Sequence, residues 1–138
     1  ALVAARRVTT KWTFIYGGAL LAGWDFFLDP QMVAAGRWSW KVEGAHIPFV
    51  PDVPLSNYFG WILAGCAIVA LLNLSLPFER RKESASLRAV TILLTWVLFS
   101  GFVGNLFFFD RPGLAFLGSL VFGAFATPFI YKNWLGEA

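Results

Sequence analysis

The stretch Leu87-Arg88-Ala89-Val90-Thr91-Ile92-Leu93-Leu94-Thr95-Trp96-Val97-Leu98-Phe99-Ser100-Gly101-Phe102-Val103-Gly104-Asn105-Leu106-Phe107-Phe108-Phe109 decides the fold. Its hydrophobicity is continuous and does not alternate, which favours a membrane helix over a barrel strand. Its length is close to the roughly 20 residues that a hydrocarbon core about 30 Å thick requires. Three more stretches read the same way, from about Trp12 to Leu28, from Tyr58 to Leu76, and from Leu114 to Tyr131. The expectation is an all-α polytopic membrane protein, a bundle of four transmembrane helices forming one domain over residues 1–138.

Composition agrees. Of 138 residues, 58% are hydrophobic and 14% charged, against roughly 25% charged in soluble domains. A globule this small could not hide so much apolar surface, whereas a bilayer removes the need. The net charge of +3 does not point to nucleic acid, because the aromatics lie in apolar runs and not on a basic polar face. The single Cys66 has no partner for a disulfide or a cysteine metal site and reads as a small buried residue. The single His46 argues against a multi-histidine metal or haem site.

The chain begins at Ala1, as a processed product or a piece of something longer would. Arg6, Arg7 and Lys11 before an apolar run resemble the start of a signal peptide, but the run continues to Leu28 without a clear cleavage site and reads as a retained span.

The connections set the orientation. Residues 29–57 form a long polar and aromatic loop, 77–86 a short basic one, and Asp110-Arg111-Pro112-Gly113 a tight turn that stops one helix and reverses the chain. Arg6, Arg7, Lys11, Arg80, Arg81, Lys82, Arg88 and Lys132 fall on one side, eight in all, against Arg37, Lys41 and Arg111 on the other. The positive-inside rule then places both termini in the cytoplasm, with loop 29–57 outside a cytoplasmic membrane. Five of the eight carboxylates (Asp25, Asp29, Glu43, Asp52 and Asp110) and His46 lie on the outer side, while Glu79, Glu83 and Glu137 lie inside.

Asp25 and Asp29 are the sharpest chemical feature. Four residues apart, they share a face if the helix continues through them. Two close carboxylates in a low-dielectric setting do not both ionise easily, so one is expected to hold a proton. Acidic residues within spans are functional candidates by default. A structural reading competes: Asp29 as N-cap, Pro30 at the first position and Gly36 as the stop would make residues 30–35 a short interfacial helix in the first loop. Trp38 and Trp40 are interfacial anchors or rings lining a pocket that could steady a cation. Ser56 or Asn57 can cap the second span, and Asn57 could also serve a site. Asn73 and Asn105 read as inter-helix hydrogen-bonding residues, and the pairs Gly60 and Ala64, Gly101 and Gly104, and Ser119 and Gly123 as close helix contacts.

Together these residues resemble a known family. Gly23-Trp24-Asp25-Phe26-Phe27-Leu28-Asp29-Pro30-Gln31-Met32-Val33, then Gly36-Arg37-Trp38-Ser39-Trp40, then Val53-Pro54-Leu55-Ser56-Asn57-Tyr58-Phe59-Gly60-Trp61 is similar to the membrane carotenoid hydratases of the bisanhydrobacterioruberin hydratase and γ-carotene 1′-hydratase type. The match is strongest over residues 23–61 and corresponds to the C-terminal half of that family, whose own first half is not matched here. The resemblance implies cofactor-independent hydration of a terminal C=C of an acyclic carotenoid. An acid protonates the alkene to a tertiary cation, and water adds. Asp25 or Asp29 would be the acid, with Asn57 placing water. Trp38 and Trp40, with Trp24, Tyr58 and Trp61 of the same motifs, would line the substrate.

Two further readings stand beside it: an accessory subunit that binds a carotenoid, another polyisoprenoid or membrane lipid without catalysis, and a bare helical scaffold. In the hydratase reading as in these, the chain is expected to work with other membrane chains or with a missing N-terminal half.

Overall fold

The computed structural model describes residues 1–41, 43–77 and 85–134, the side chains of 85 and 86 aside. The expected basic run Arg80 to Lys82, with Glu79, Glu83 and Glu137, lies outside the described residues. In chain order the elements are α1 (Leu2–Val8), α2 (Thr13–Ala34), β1 (His46–Ile47), β2 (Val50–Pro54), α3 (Leu55–Ser75), α4 (Ala85–Val103) and α5 (Pro112–Trp134). Helix α4 runs on into a π-helical turn, Gly104–Phe108. The fold is therefore mostly helical but not all-α, since β1 and β2 pair as an antiparallel hairpin.

The first helix is longer than its apolar run. It does not end at Leu28 but passes through Asp29 and Pro30 to Ala34. This corrects the expectation of a separate short helix capped by Asp29. Pro30 removes one helical hydrogen bond, but breaking the helix there would orphan several buried backbone groups, at greater cost in an apolar setting. The stop is at Gly36, as its sequence signal indicates. Gly36 sits at φ +65°, and the Gly36 and Arg37 amides donate to the carbonyls of Val33 and Met32 at 3.0 and 2.9 Å. That pair of bonds is the Schellman arrangement, which needs a left-handed residue and favours glycine.

Other boundaries also move. Helix α3 begins at Leu55 after Pro54, with no side-chain cap, so Ser56 and Asn57 lie inside its first turn and do not cap it. Pro112 is the first residue of α5 and not a turn residue, a position where its missing N–H costs nothing. The chain reverses just before it, at Asp110, whose φ is +51°.

Among the described residues, three helices are long and apolar enough to cross a membrane: Leu55–Ser75, Leu87–Phe108 and Pro112–Trp134. Helix α2 has the length, 22 residues, but carries Asp25, Asp29 and several small or polar residues. The reason is its place in the bundle. It packs against α1, α3 and α5, and half its residues are buried. A helix enclosed by protein can hold polar groups that a lipid-facing helix cannot. The outer helices show the converse, with Leu63 72% and Leu74 84% exposed on α3 and Leu120 72% on α5.

Close approach fixes how the helices pack. A Cβ on Gly18 would stand 2.6 Å from the backbone nitrogen of Cys66, and one on Gly65 would stand 3.0 Å from the Gly18 carbonyl oxygen. Helices α2 and α3 cross at this glycine pair. On another face of α2, the Phe27 ring fills a notch where Cβ atoms on Gly101 and Gly118 would come within 2.9 and 2.5 Å of it. The expected pairs fare differently. Gly60 faces open space, Gly101 receives Phe27, and Gly123 has only ordinary contacts. Asn105 is fully buried and donates to the Gly101 carbonyl of its own helix at 2.8 Å, not across helices.

At the end of the bundle that holds α1, the Arg6 guanidinium ties that helix to the C-terminus of α3. It donates to Asn73 Oδ1 at 2.8 Å and to the carbonyls of Asn73 at 3.0 Å, Leu76 at 2.8 Å and Pro77 at 3.1 Å. A cation on the orphan carbonyls of a helix end satisfies acceptors and complements the helix dipole. Lys132 does the same for α1, donating to the Val8 carbonyl at 3.2 Å. The hairpin closes the opposite end. Val50 and Val53 are fully buried and join Phe26, Tyr58 and Leu114 in one apolar cluster.

Candidate functional site

Gly18, Asp25 and Asp29 are spaced by seven and four residues, so they fall on one face of α2. Because α2 runs unbroken past Asp29, the two carboxyl groups look the same way as the glycine crossing, towards α3. There they meet the first turn of α3. The Asn57 amide donates to Asp29 Oδ2, and the Asp25 carboxyl faces both Asp29 and Asn57. Asp25 and Asp29 are each only 2% exposed. The structure thus brings together the three residues expected to carry chemistry, from segments separated by the whole loop.

The surroundings of this trio are apolar. The Phe26 and Tyr58 rings lie 5.0 Å apart and inclined at 37°, and the hairpin residues Val50 and Val53 and Leu114 of α5 complete the shell. The Tyr58 hydroxyl is within electrostatic reach of both carboxyl groups. Two oxygens in this cluster, Asp25 Oδ2 and Tyr58 Oη, are buried without a hydrogen-bond partner. Buried polar atoms of a native protein are nearly always bonded to protein, water or a ligand.

The tryptophans are not drawn into this cluster. Trp24 is 43% exposed although it adjoins Asp25, and Trp38 and Trp40, in the irregular chain after α2, are 41% and 40% exposed. Trp61 is half-buried one turn beyond Asn57. Reasoning from sequence missed Phe26, the two hairpin valines and Leu114 as the walls of the site. Phe26 had a usable signal, being adjacent to Asp25. The hairpin had none, because prolines at 48, 51 and 54 hide its short strands.

The hairpin is held from α5's side as well. Arg111 pairs with Asp52 at 3.6 Å, a partly exposed pair worth less than about 1 kcal/mol. The Phe49 ring lies over Gly113, where any Cβ would be 2.5 Å from it. These contacts put the hairpin across the end of the bundle beside the carboxyl groups.

The arrangement is suited to acid–base chemistry in an apolar place. One carboxyl group is fixed by an amide donor, and the other keeps an oxygen free to hold or pass a proton. A family described as carotenoid biosynthesis protein matches this chain over residues 2–125. No curated protein and no solved structure matches it.

Proposed function

Because the chain belongs to the carotenoid biosynthesis protein family, and so has a role in carotenoid biosynthesis, we propose that it adds water to a terminal C=C of an acyclic carotenoid. The observation that carries this reading is the buried trio Asp25, Asp29 and Asn57. Asp29 accepts the Asn57 amide and is held in place by it. Asp25, with a free oxygen, is the proton donor. Asn57 is then a positioning residue for Asp29 more than a holder of water. A polyene dissolved in lipid reaches such a group only where the site opens to the bilayer, and the tryptophans on the adjoining surface suit that entrance.

Supplying the chain in membranes with an acyclic carotenoid is expected to give a product heavier by one water, with no added cofactor. Carotenoid that copurifies unchanged would point instead to a non-catalytic carotenoid-binding subunit and would sink the hydratase reading.

In the same reading the chain is one transmembrane domain of four spans, α2 included, with both termini in the cytoplasm and the hairpin outside. The basic residues around α1 and Lys132 support that orientation, as does the gathering of Asp25, Asp29, Asp52 and Asp110 at the hairpin end. With Cys66 replaced by serine, a cysteine at Gly44 is expected to react with an impermeant maleimide added outside intact cells, and one at Glu83 is not. The opposite pattern would invert the topology.

A further inference from the structure

Asp25 Oδ2 and Tyr58 Oη are orphaned together. Both residues are buried, Tyr58 in the cluster under the hairpin and Asp25 next to Phe26 of that cluster. They lie within electrostatic reach of each other, and neither oxygen has a protein partner. Leaving a buried polar atom unpaired is costly. Two such atoms on facing helices, one able to donate and accept and the other part of a carboxyl group, suit a single small hydrogen-bonding molecule between them. A buried water commonly makes about three such bonds to otherwise unsatisfied groups. Asn57 is a poorer candidate for that task, because its amide is engaged by Asp29.

We propose that Tyr58 Oη and Asp25 Oδ2 hold the water that is added, making Tyr58 a catalytic residue of the capture step. This rests on the hydratase reading. Asp25 gives its proton to the terminal alkene carbon. The π pair becomes the new C–H bond and leaves a tertiary cation beside a carboxylate. The held water forms the C–O bond with one lone pair, and one of its protons passes to the Asp25 carboxylate, which restores the acid. The sum is alkene plus water giving tertiary alcohol, with no oxidant or reductant. Tyr58 neither gains nor loses a proton. Its hydroxyl keeps the water aimed at the cation, which would otherwise return a carbon-bound proton to Asp25 and revert to alkene.

The partition of the cation therefore reads the role of Tyr58. In D2O, capture gives hydrated carotenoid, while reversion leaves deuterium in recovered alkene. Tyr58→Phe keeps the ring against Phe26 and is expected to lower hydration on the order of tenfold, the worth of one hydrogen bond. Deuterium in the recovered alkene should stay level or rise. A merely structural role would lower both together. Hydration by Y58F with an unchanged partition overturns the proposal and leaves the hydratase reading intact. A native chain that gives neither hydrate nor exchange overturns both. Should Y58F fail to fold, Tyr58→Met fills the same space without a hydroxyl and carries the same test.

Discussion

Asp25→Asn is expected to abolish the proposed hydration and to leave the bundle folded. The substitution keeps the shape of the side chain but removes the transferable proton, so the loss is at least the contribution of a general acid, on the order of 10² to 10⁴ in rate. Because Asp25 Oδ2 has no partner in the folded protein, exchanging it for an amide breaks no protein hydrogen bond on that atom. The unfolding midpoint in detergent is expected to stay near that of the native chain. Asp29→Asn should do less, because an amide at 29 still offers an oxygen to the Asn57 donor. Comparing hydrated product from the two variants decides the assignment. A larger loss in D29N than in D25N would exchange the roles, and full activity in both would remove the site altogether.

Phe27→Ala is the substitution with the largest expected effect on stability, about 3–5 kcal/mol, the usual cost of emptying a buried phenylalanine site. Phe27 is 4% exposed, and its ring fills the notch that Gly101 and Gly118 leave. A glycine notch cannot collapse onto an alanine without moving two helix backbones, so little of the cavity is recovered. Phe107 and Phe108 provide the contrast. They are 71% and 79% exposed, and their replacement by alanine should change stability within about 0.5 kcal/mol, since lipid is as apolar as the side chain it meets. Denaturation in mixed detergent micelles measures all three. Equal costs would mean that the notch is not what holds α2 to α4 and α5.

Much of this fold is legible before any tertiary contact is known. The runs behind α3, α4 and α5 announce themselves because a helix facing lipid must be apolar nearly all round. Gly36 is a legible stop, since few other residues take a left-handed backbone cheaply. Less legible were the features that depend on what lies alongside. Asp29 before Pro30 reads as the start of a helix, yet it is in the middle of one, because the cost of interrupting α2 is set by its buried surroundings and not by the dipeptide. The spacing of Gly60 and Ala64 looks like a helix contact but faces open space. Gly18 and Gly65, which make the crossing of α2 and α3, cannot be matched to each other from residue order, because the pair exists only across the two helices. The carboxylates were found from sequence through their rarity in apolar runs. Tyr58 was grouped with them, but the isolation of its hydroxyl could not be read from residue order.

The apolar run over Leu87–Phe108 is thus legible in the sequence as a helix fit for a membrane, although its π-helical last turn is not. The sequence alone also establishes the i, i+4 spacing of Asp25 and Asp29, since helical periodicity is a local property. Which way that acidic face looks, and what meets it, was decided by the tertiary structure. The glycine crossing turns Asp25 and Asp29 towards α3, and the hairpin shuts Phe26 and Tyr58 in around them. Burial, and the choice of which carboxyl oxygen keeps a partner, are sums over segments far apart in the chain. No local pattern encodes them.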